Sequence, residues 1–335
     1  MRRSPVLLAV SSLVLSGIAL LAPGTSATAS SASIPTSPVT RVWTEPAAGY
    51  GFFYDAINAA KYDIDLSMYE LTDPVVERDL VARAKAGVDV RVLLNADYEG
   101  RSENASAFAA LHAGGVHVAW APSNQIFHAK YLVVDNARAY IGTGNLVPYD
   151  YGSTRDFWVV DDDPVDVAAV VATFTSDFGG RVLSGEGPGG LIWSPGSGPA
   201  LVSLIASARS TLLVENEEMG VGSIDLALEA AAKRGVDVEV VMTQSAEWTS
   251  ALRQLARAGV HVRTLNSSQR YIHAKVLCAD CTSRGGTAFV GSENFSTSSL
   301  SYNRELGVVT ASMVATSAVA TAVRSDFASG ATVAP

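Results

Sequence analysis

The chain has 335 residues, 48% of them hydrophobic and 17% charged, enough to bury a large core in one or two domains. Its formal charge of −9 and pI near 5.1 argue against a nucleic-acid-binding surface, because affinity for a polyanion rests on Lys and Arg neutralising phosphates.

Arg2 and Arg3 precede an apolar run from Pro5 to Ala22 and the small-residue site Ala27-Thr-Ala29. This pattern predicts a secretory signal peptide over residues 1–29, and therefore export. A retained anchor is the alternative, since the run is near the lower limit for spanning a bilayer. Residues 30–40, rich in Ser, Thr, Pro and Ala, read as a flexible lead-in. Residues 63–69 alternate in polarity like a strand, and 74–86 have helical spacing that stops at Gly87. A β-branched run follows at 88–94, then a helix at 103–114. Short strands are expected at 116–120, 129–135, 138–142 and 157–161, and a helix at 165–178. Asp161-Asp-Asp163-Pro reads as a solvated turn capping that last helix.

The same order then recurs. Arg83-Ala-Lys-Ala-Gly87-Val-Asp-Val is echoed by Ala231-Ala-Lys-Arg-Gly235-Val-Asp-Val, and Ser176-Asp-Phe178 by Ser325-Asp-Phe327. All such offsets fall between 144 and 149, so the chain contains two copies of one domain. The expected organisation is repeat 1 over 41–183, a Gly/Pro/Ser linker over 184–199, and repeat 2 over 200–335. Alternating strand and helix patterns imply the α/β class, each repeat a mostly parallel sheet flanked by helices. Cys278 and Cys281, the only cysteines, read as a local disulfide in an exported protein.

Each copy carries the same chemical set. His128-Ala-Lys130 is followed by Asp135, Gly142-Thr-Gly-Asn145 and Asp156; His273-Ala-Lys275 is followed by Asp280, Gly291-Ser-Glu-Asn294 and Glu305. On a strand, residues two apart share a face, so each His and Lys would reach one pocket. Two such sets brought together make a site for a tetrahedral anion with a His on either side. Asp156 and Glu305 suit the task of fixing a His tautomer, each expected to serve the His of its own copy. Asp135 and Asp280 sit at strand ends, where turn capping is the better reading of the residues alone. Tyr69-Glu70 and Asn216-Glu217 look like matching strand ends, which makes Glu70 and Glu217 candidate substrate contacts. The loop Leu146–Tyr151 offers apolar and aromatic surface beside Asn145. His112, His117 and His261 lack this context and read as structural.

The doubled pattern resembles the phospholipase D superfamily, whose signature is H-x-K-x4-D followed by G-S-x-x-N and N-x-E. The first copy departs from it at Thr143, Thr154 and Asp156. The resemblance implies two repeats related by a pseudo-twofold axis, sharing one cleft. It also implies catalytic roles for His128, Lys130, Asp135, Asn145, Asp156, His273, Lys275, Asp280, Asn294 and Glu305. Lys130, Lys275, Asn145 and Asn294 would hold the phosphate. One His, expected to be His128, would form a phosphohistidine and the other, His273, would act as general acid, with no metal or other cofactor. The expected activity is a phospholipase D, with a phospholipid at a membrane or micelle surface as partner, no stable nucleic-acid partner, and a monomer because both motifs lie in one chain. A nuclease, a cardiolipin synthase-like transferase and a non-catalytic phosphate-binding protein are the alternatives.

Overall fold

The computed structural model describes residues 34–182, 187–281 and 285–335, so the signal peptide expected over residues 1–29 lies outside it. Repeat 1 runs β1 (Val39–Thr44), α1 (Gly51–Ala59), β2 (Asp63–Met68), α2 (Pro74–Lys85), β3 (Asp89–Leu94), α3 (Gly100–Glu103), α4 (Ala105–Ala113) and β4 (His117–Trp120). It continues through β5 (Tyr131–Val134), β6 (Arg138–Gly142), β7 (Thr154–Arg155), β8 (Phe157–Asp161) and α5 (Pro164–Phe178). Repeat 2 runs β9 (Leu191–Ser194), α6 (Gly198–Ser207), β10 (Thr211–Glu215), α7 (Gly222–Lys233), β11 (Asp237–Thr243), α8 (Thr249–Arg257) and β12 (His261–Leu265). It closes with β13 (Tyr271–Ile272), β14 (Val276–Ala279), β15 (Thr287–Gly291), α9 (Thr297–Ser301), β16 (Glu305–Thr310), α10 (Met313–Ser329) and β17 (Ala331–Thr332).

Local chemistry sets the element ends. Asp73 and Asp163 accept the backbone N–H of Val75 and Val165, each followed by Pro at the first helical position, and so start α2 and α5. The helix expected over 103–114 is broken at Asn104. Its side chain leaves the helical pattern to bond Leu71 N and the carbonyl of Tyr69, both at 2.8 Å.

The first sheet has the order β1-β8-β6-β5-β2-β3-β4 and the second β17-β12-β11-β10-β14-β15-β16-β9. Both are mixed, but parallel pairing is confined to β2-β3-β4 and β10-β11-β12, where helices cross over between strands. The other pairs within these two sheets are antiparallel; between β5 and β6 the short turn leaves no room for a crossover. The expectation of a mostly parallel sheet therefore holds only for the helix-connected part of each repeat.

The two sheets face one another. Ile141 and Val159 from the first share a core with Val290 and Val308 from the second, together with Phe174 of α5 and Val319 of α10. Helices α1, α2 and α4 cover the outer face of the first sheet, and α6, α7 and α8 that of the second. The expected linker and lead-in both carry structure: β9 lies within residues 184–199 and pairs with β16. Ser37, in the supposed lead-in, bonds Val309 and Thr310 through its backbone. Residues 34–335 thus fold as one compact unit.

Two buried ion pairs lock the repeats together. Arg155 reaches Asp326 on α10 at 2.6 and 3.1 Å, and Arg304 reaches Asp177 on α5 at 2.8 and 3.1 Å. The repeated Ser-Asp-Phe tripeptides supply both aspartates. Removing one partner of a buried pair leaves an uncompensated charge. We expect Asp326→Ala to cost about 3–5 kcal/mol in urea unfolding; a loss under about 1 kcal/mol, the size of a solvent-exposed pair, would show that the pair does not hold the halves together.

Candidate active site

The segment His128–Lys130 runs extended into β5, and His273–Lys275 into β14. Neither is held chiefly by its own repeat. The backbone N–H groups of His128 and Ala129 donate to the carbonyl of Arg304 at 2.8 and 2.9 Å, and Arg304 N donates to Ile126 O. In the other half β13 pairs with β7, and His273 N donates to Arg155 O at 3.2 Å.

The residue after each arginine is the acid of that copy, and this pairing delivers it to the His of the other copy. His128 Nδ1 lies 2.8 Å from Glu305 Oε2, and His273 Nδ1 lies 2.8 Å from Asp156 Oδ1. The expectation that each acid serves the His of its own copy is therefore corrected: both pairs cross between repeats. Asp156 is steadied by the hydroxyl of Thr143, which donates to it at 2.5 Å, and Glu305 by Ser299 at 2.7 Å. With Nδ1 engaged, Nε2 is the ring nitrogen left for chemistry in each imidazole.

Both ammonium groups are fully buried. Lys130 Nζ donates to the carbonyl of His128 and stands 5.0 Å over the ring of Tyr69, whose edge meets His128. Lys275 Nζ donates to the carbonyl of His273 and to Glu217 Oε2 at 2.9 Å. The Asn145 amide meets Glu70 at 3.4 Å, while that of Asn294 meets Glu218 at 2.9 Å and Glu217 at 3.4 Å. This corrects the strand-end alignment by one residue. Asp63 pairs with Asp89 and Thr211 with Asp237, an offset of 148, so Glu70 corresponds to Glu218 and Tyr69 to Glu217. The equal offset between Gly87 and Gly235 carried that signal in the sequence.

The environment separates the two histidines. Burial, with Lys130 and Lys275 adding to it and Glu305 opposing, lowers His128 to about 4. Burial, with Lys275 next to it, likewise lowers Lys130 to about 7. Glu217 faces the opposite balance: burial favours its neutral form, but Lys275 and His273 outweigh it and hold the carboxyl below its ordinary range. Glu217 Oε2 is also 3.6 Å from His273 Nε2, so His273 has a carboxylate at each ring nitrogen whereas His128 has one.

The motif glycines have packing reasons. A Cβ at Gly142 would lie 2.3 Å from the Trp158 ring, and one at Gly291 2.4 Å from the Glu293 carboxyl and from Gly307. Asp135 and Asp280 do not join the pocket. Asp135 accepts the N–H groups of Lys61, Tyr62 and Asp63, and Asp280 those of Arg209, Ser210 and Thr211, at the starts of β2 and β10. The pocket lies past the other ends of those strands, roughly 17–20 Å away for a six-residue strand. Both adopt a left-handed conformation (φ 54° and 53°) that Asp tolerates, so turn capping is what the structure shows for them. His117 and His261 sit exposed against Asp89 and Asp237 at the same far end. Cys278 and Cys281 form the expected disulfide at the end of β14.

The profile of a family described as "Cardiolipin synthase, PLD-like domain" matches residues 53–179 and again 201–329. No curated protein sequence matches the chain. Among solved structures, the phosphatidylserine synthase of Haemophilus influenzae superimposes with a TM-score of 0.68 at 12% identity, over 89% of this chain and 90% of that one. The polyphosphate kinase of Porphyromonas gingivalis gives the same TM-score at 14% identity, over 84% of this chain; the match spans only 46% of the kinase. Two family domains covering most of the chain, each with its His, Lys and Asn in a shared pocket, place the protein in the phospholipase D superfamily.

Proposed function

We propose that the protein is a phosphodiesterase of the phospholipase D type, acting on the head-group ester of a phospholipid. The observation that carries this reading is the crossed pairing of His128 with Glu305 and His273 with Asp156, with both lysines and both asparagines in the same cleft. His128, neutral at ordinary pH, attacks phosphorus through Nε2, and the bond to the leaving alcohol breaks. His273, held at Nδ1 by Asp156, gives a proton from Nε2 to the departing oxygen. Water then attacks the phosphohistidine, His273 takes its proton, and the phosphorus–nitrogen bond breaks. An alcohol in place of water turns the same steps into phosphatidyl transfer. Charge developing on the non-bridging oxygens is met by Lys130, Lys275, Asn145 and Asn294. The acidic chain supports a lipid over a polyanion, and Tyr149, 92% exposed beyond Asn145, offers an aromatic contact for a lipid surface.

Head-group release from phospholipid vesicles in EDTA, with plasmid cleavage in parallel, tests the reading. His128→Ala and His273→Ala are each expected to lower kcat/KM by about 10²–10⁴-fold or more. DNA cleavage without lipid turnover would move the activity to a nuclease.

The pH profile follows from the shifts. His128 must be neutral, so kcat/KM falls as pH drops through about 4; Lys130 must be charged, so it falls again as pH rises through about 7. Lys130→Arg keeps the charge at all pH and is expected to move the alkaline limb up by about one pH unit or more. An unmoved limb would assign it to another group.

Glu217 Oε2 lies within 2.9–3.6 Å of Lys275, Asn294 and His273 Nε2, which is where a non-bridging phosphate oxygen would bind. Substrate must displace this carboxylate or share its partners. Glu217→Gln is expected to lower the inhibition constant for inorganic phosphate about tenfold; an unchanged constant would show that the carboxylate does not compete for that seat.

A further inference from the structure

One of the two ion pairs that join the repeats has an acid in excess. Arg155 donates to Asp326 at 2.6 and 3.1 Å and, through its other amino group, to the carbonyl of Glu45, so its fork is filled. Glu215, the last residue of β10, brings a second carboxyl to this pair. It is fully buried, and neither of its oxygens receives a hydrogen bond among the described residues. Its ladder neighbours are apolar, Val241 on β11 and Val276 on β14. The charged groups that face it are Asp326 of α10, Arg155 of β7 and Arg270 just ahead of β13, while the Glu45 carboxyl acts on Arg155 itself. The matching position in repeat 1 is Ser67, which cannot ionise in its place. A buried carboxylate without donors is strongly disfavoured, whereas a neutral carboxyl has a proton to give, and Asp326 is the acceptor within reach. One guanidinium then faces one carboxylate and one neutral acid, and no buried charge is left unpaired.

We propose that Glu215 is a proton-operated catch on this clasp. Protonated, it donates to Asp326 and completes the Arg155 pair; once it loses the proton, two carboxylates compete for one guanidinium and the clasp loosens. Part of the candidate site rides on it, because Arg155 O accepts the His273 N–H and the next residue, Asp156, holds His273 Nδ1. The catch needs no substrate, so it is independent of the activity proposed above. Burial, with Asp326 adding to it, holds the Glu215 carboxyl well above the ordinary 4.5, although Arg155 and Arg270 pull the other way. The folded chain therefore keeps a proton that the unfolded chain releases above 4.5. Stability from this group is complete below that value and is lost as pH rises toward the folded value, by about tenfold in the folding constant per pH unit.

Urea unfolding of the full protein between about pH 5 and 8.5 tests this. Glu215→Gln keeps the neutral shape and a donor for Asp326. It is expected to match the wild type near pH 5 and, above that, to lose about tenfold less in folding constant per pH unit. Asp326→Asn is expected to flatten the slope as well, since Glu215 can then ionise as the one carboxylate partner of Arg155. Amide exchange at His273, whose N–H bond spans the clasp, should outpace the intrinsic rise with pH in the wild type but not in Glu215→Gln. A wild-type slope in Glu215→Gln would overturn the proposal. So would one in Asp326→Asn, by showing that burial and not competition for Arg155 holds the proton, or wild-type exchange at His273 that follows the intrinsic rate. Failure of Glu215→Gln to fold near pH 5 would overturn it too, because the charge itself would then be required.

Discussion

The backbone of His128 and Ala129 is bonded to the carbonyl of Arg304, and that of His273 to the carbonyl of Arg155. Everything in the pocket follows from these two crossings. Because the acid comes one residue after each arginine, fixing the arginine carbonyl on the opposite His segment fixes which imidazole the acid can reach. The guanidinium groups extend the other way, into Asp326 and Asp177 on the long C-terminal helices of the partner repeats. One tripeptide, Arg with its two neighbours, therefore anchors a helix on one side and orients a histidine on the other. In neither repeat does a carboxylate of the same repeat engage Nδ1 of its histidine. The catalytic geometry and the association of the halves are one structural event.

Much of this was legible in the sequence because it is written twice. The two His-x-Lys segments, the Gly-x-x-Asn elements and the acids recur in order, and helix stops such as Gly87 and Gly235 mark the same turn in both copies. What the sequence could not show was the partner of each acid, since a motif read along one copy suggests a local pair and the real contact spans 177 residues for His128 and Glu305. Segments with loop composition were misread for a related reason. Leu191–Ser194 forms a strand because the edge of β16 offers it a ladder, and Ser37 is held because its neighbours in space are Gly190 and Val309. Such long-range pairing overrides local preference. Glu218 and Glu45 escaped notice because nothing in their neighbourhood repeats visibly; only the strand register shows that Glu218 stands where Glu70 does.

Duplication leaves two sites free to diverge, and the divergence is concentrated at one aligned position. Where repeat 1 has Tyr69, repeat 2 has Glu217. An aromatic ring beside His128 and Lys130 adds no charge, so burial governs and both groups lean toward their neutral forms. At the aligned position Glu217 instead places a carboxylate 2.9 Å from Lys275 Nζ and 3.6 Å from His273 Nε2. A nucleophile needs a lone pair, and burial favours that state for His128. The differences within the motifs, Thr143 for Ser292 and Asp156 for Glu305, still leave a carboxylate of the other half on each Nδ1. A single exchange of ring for acid next to closely matching sets thus gives a nearly symmetric pocket two unlike sides.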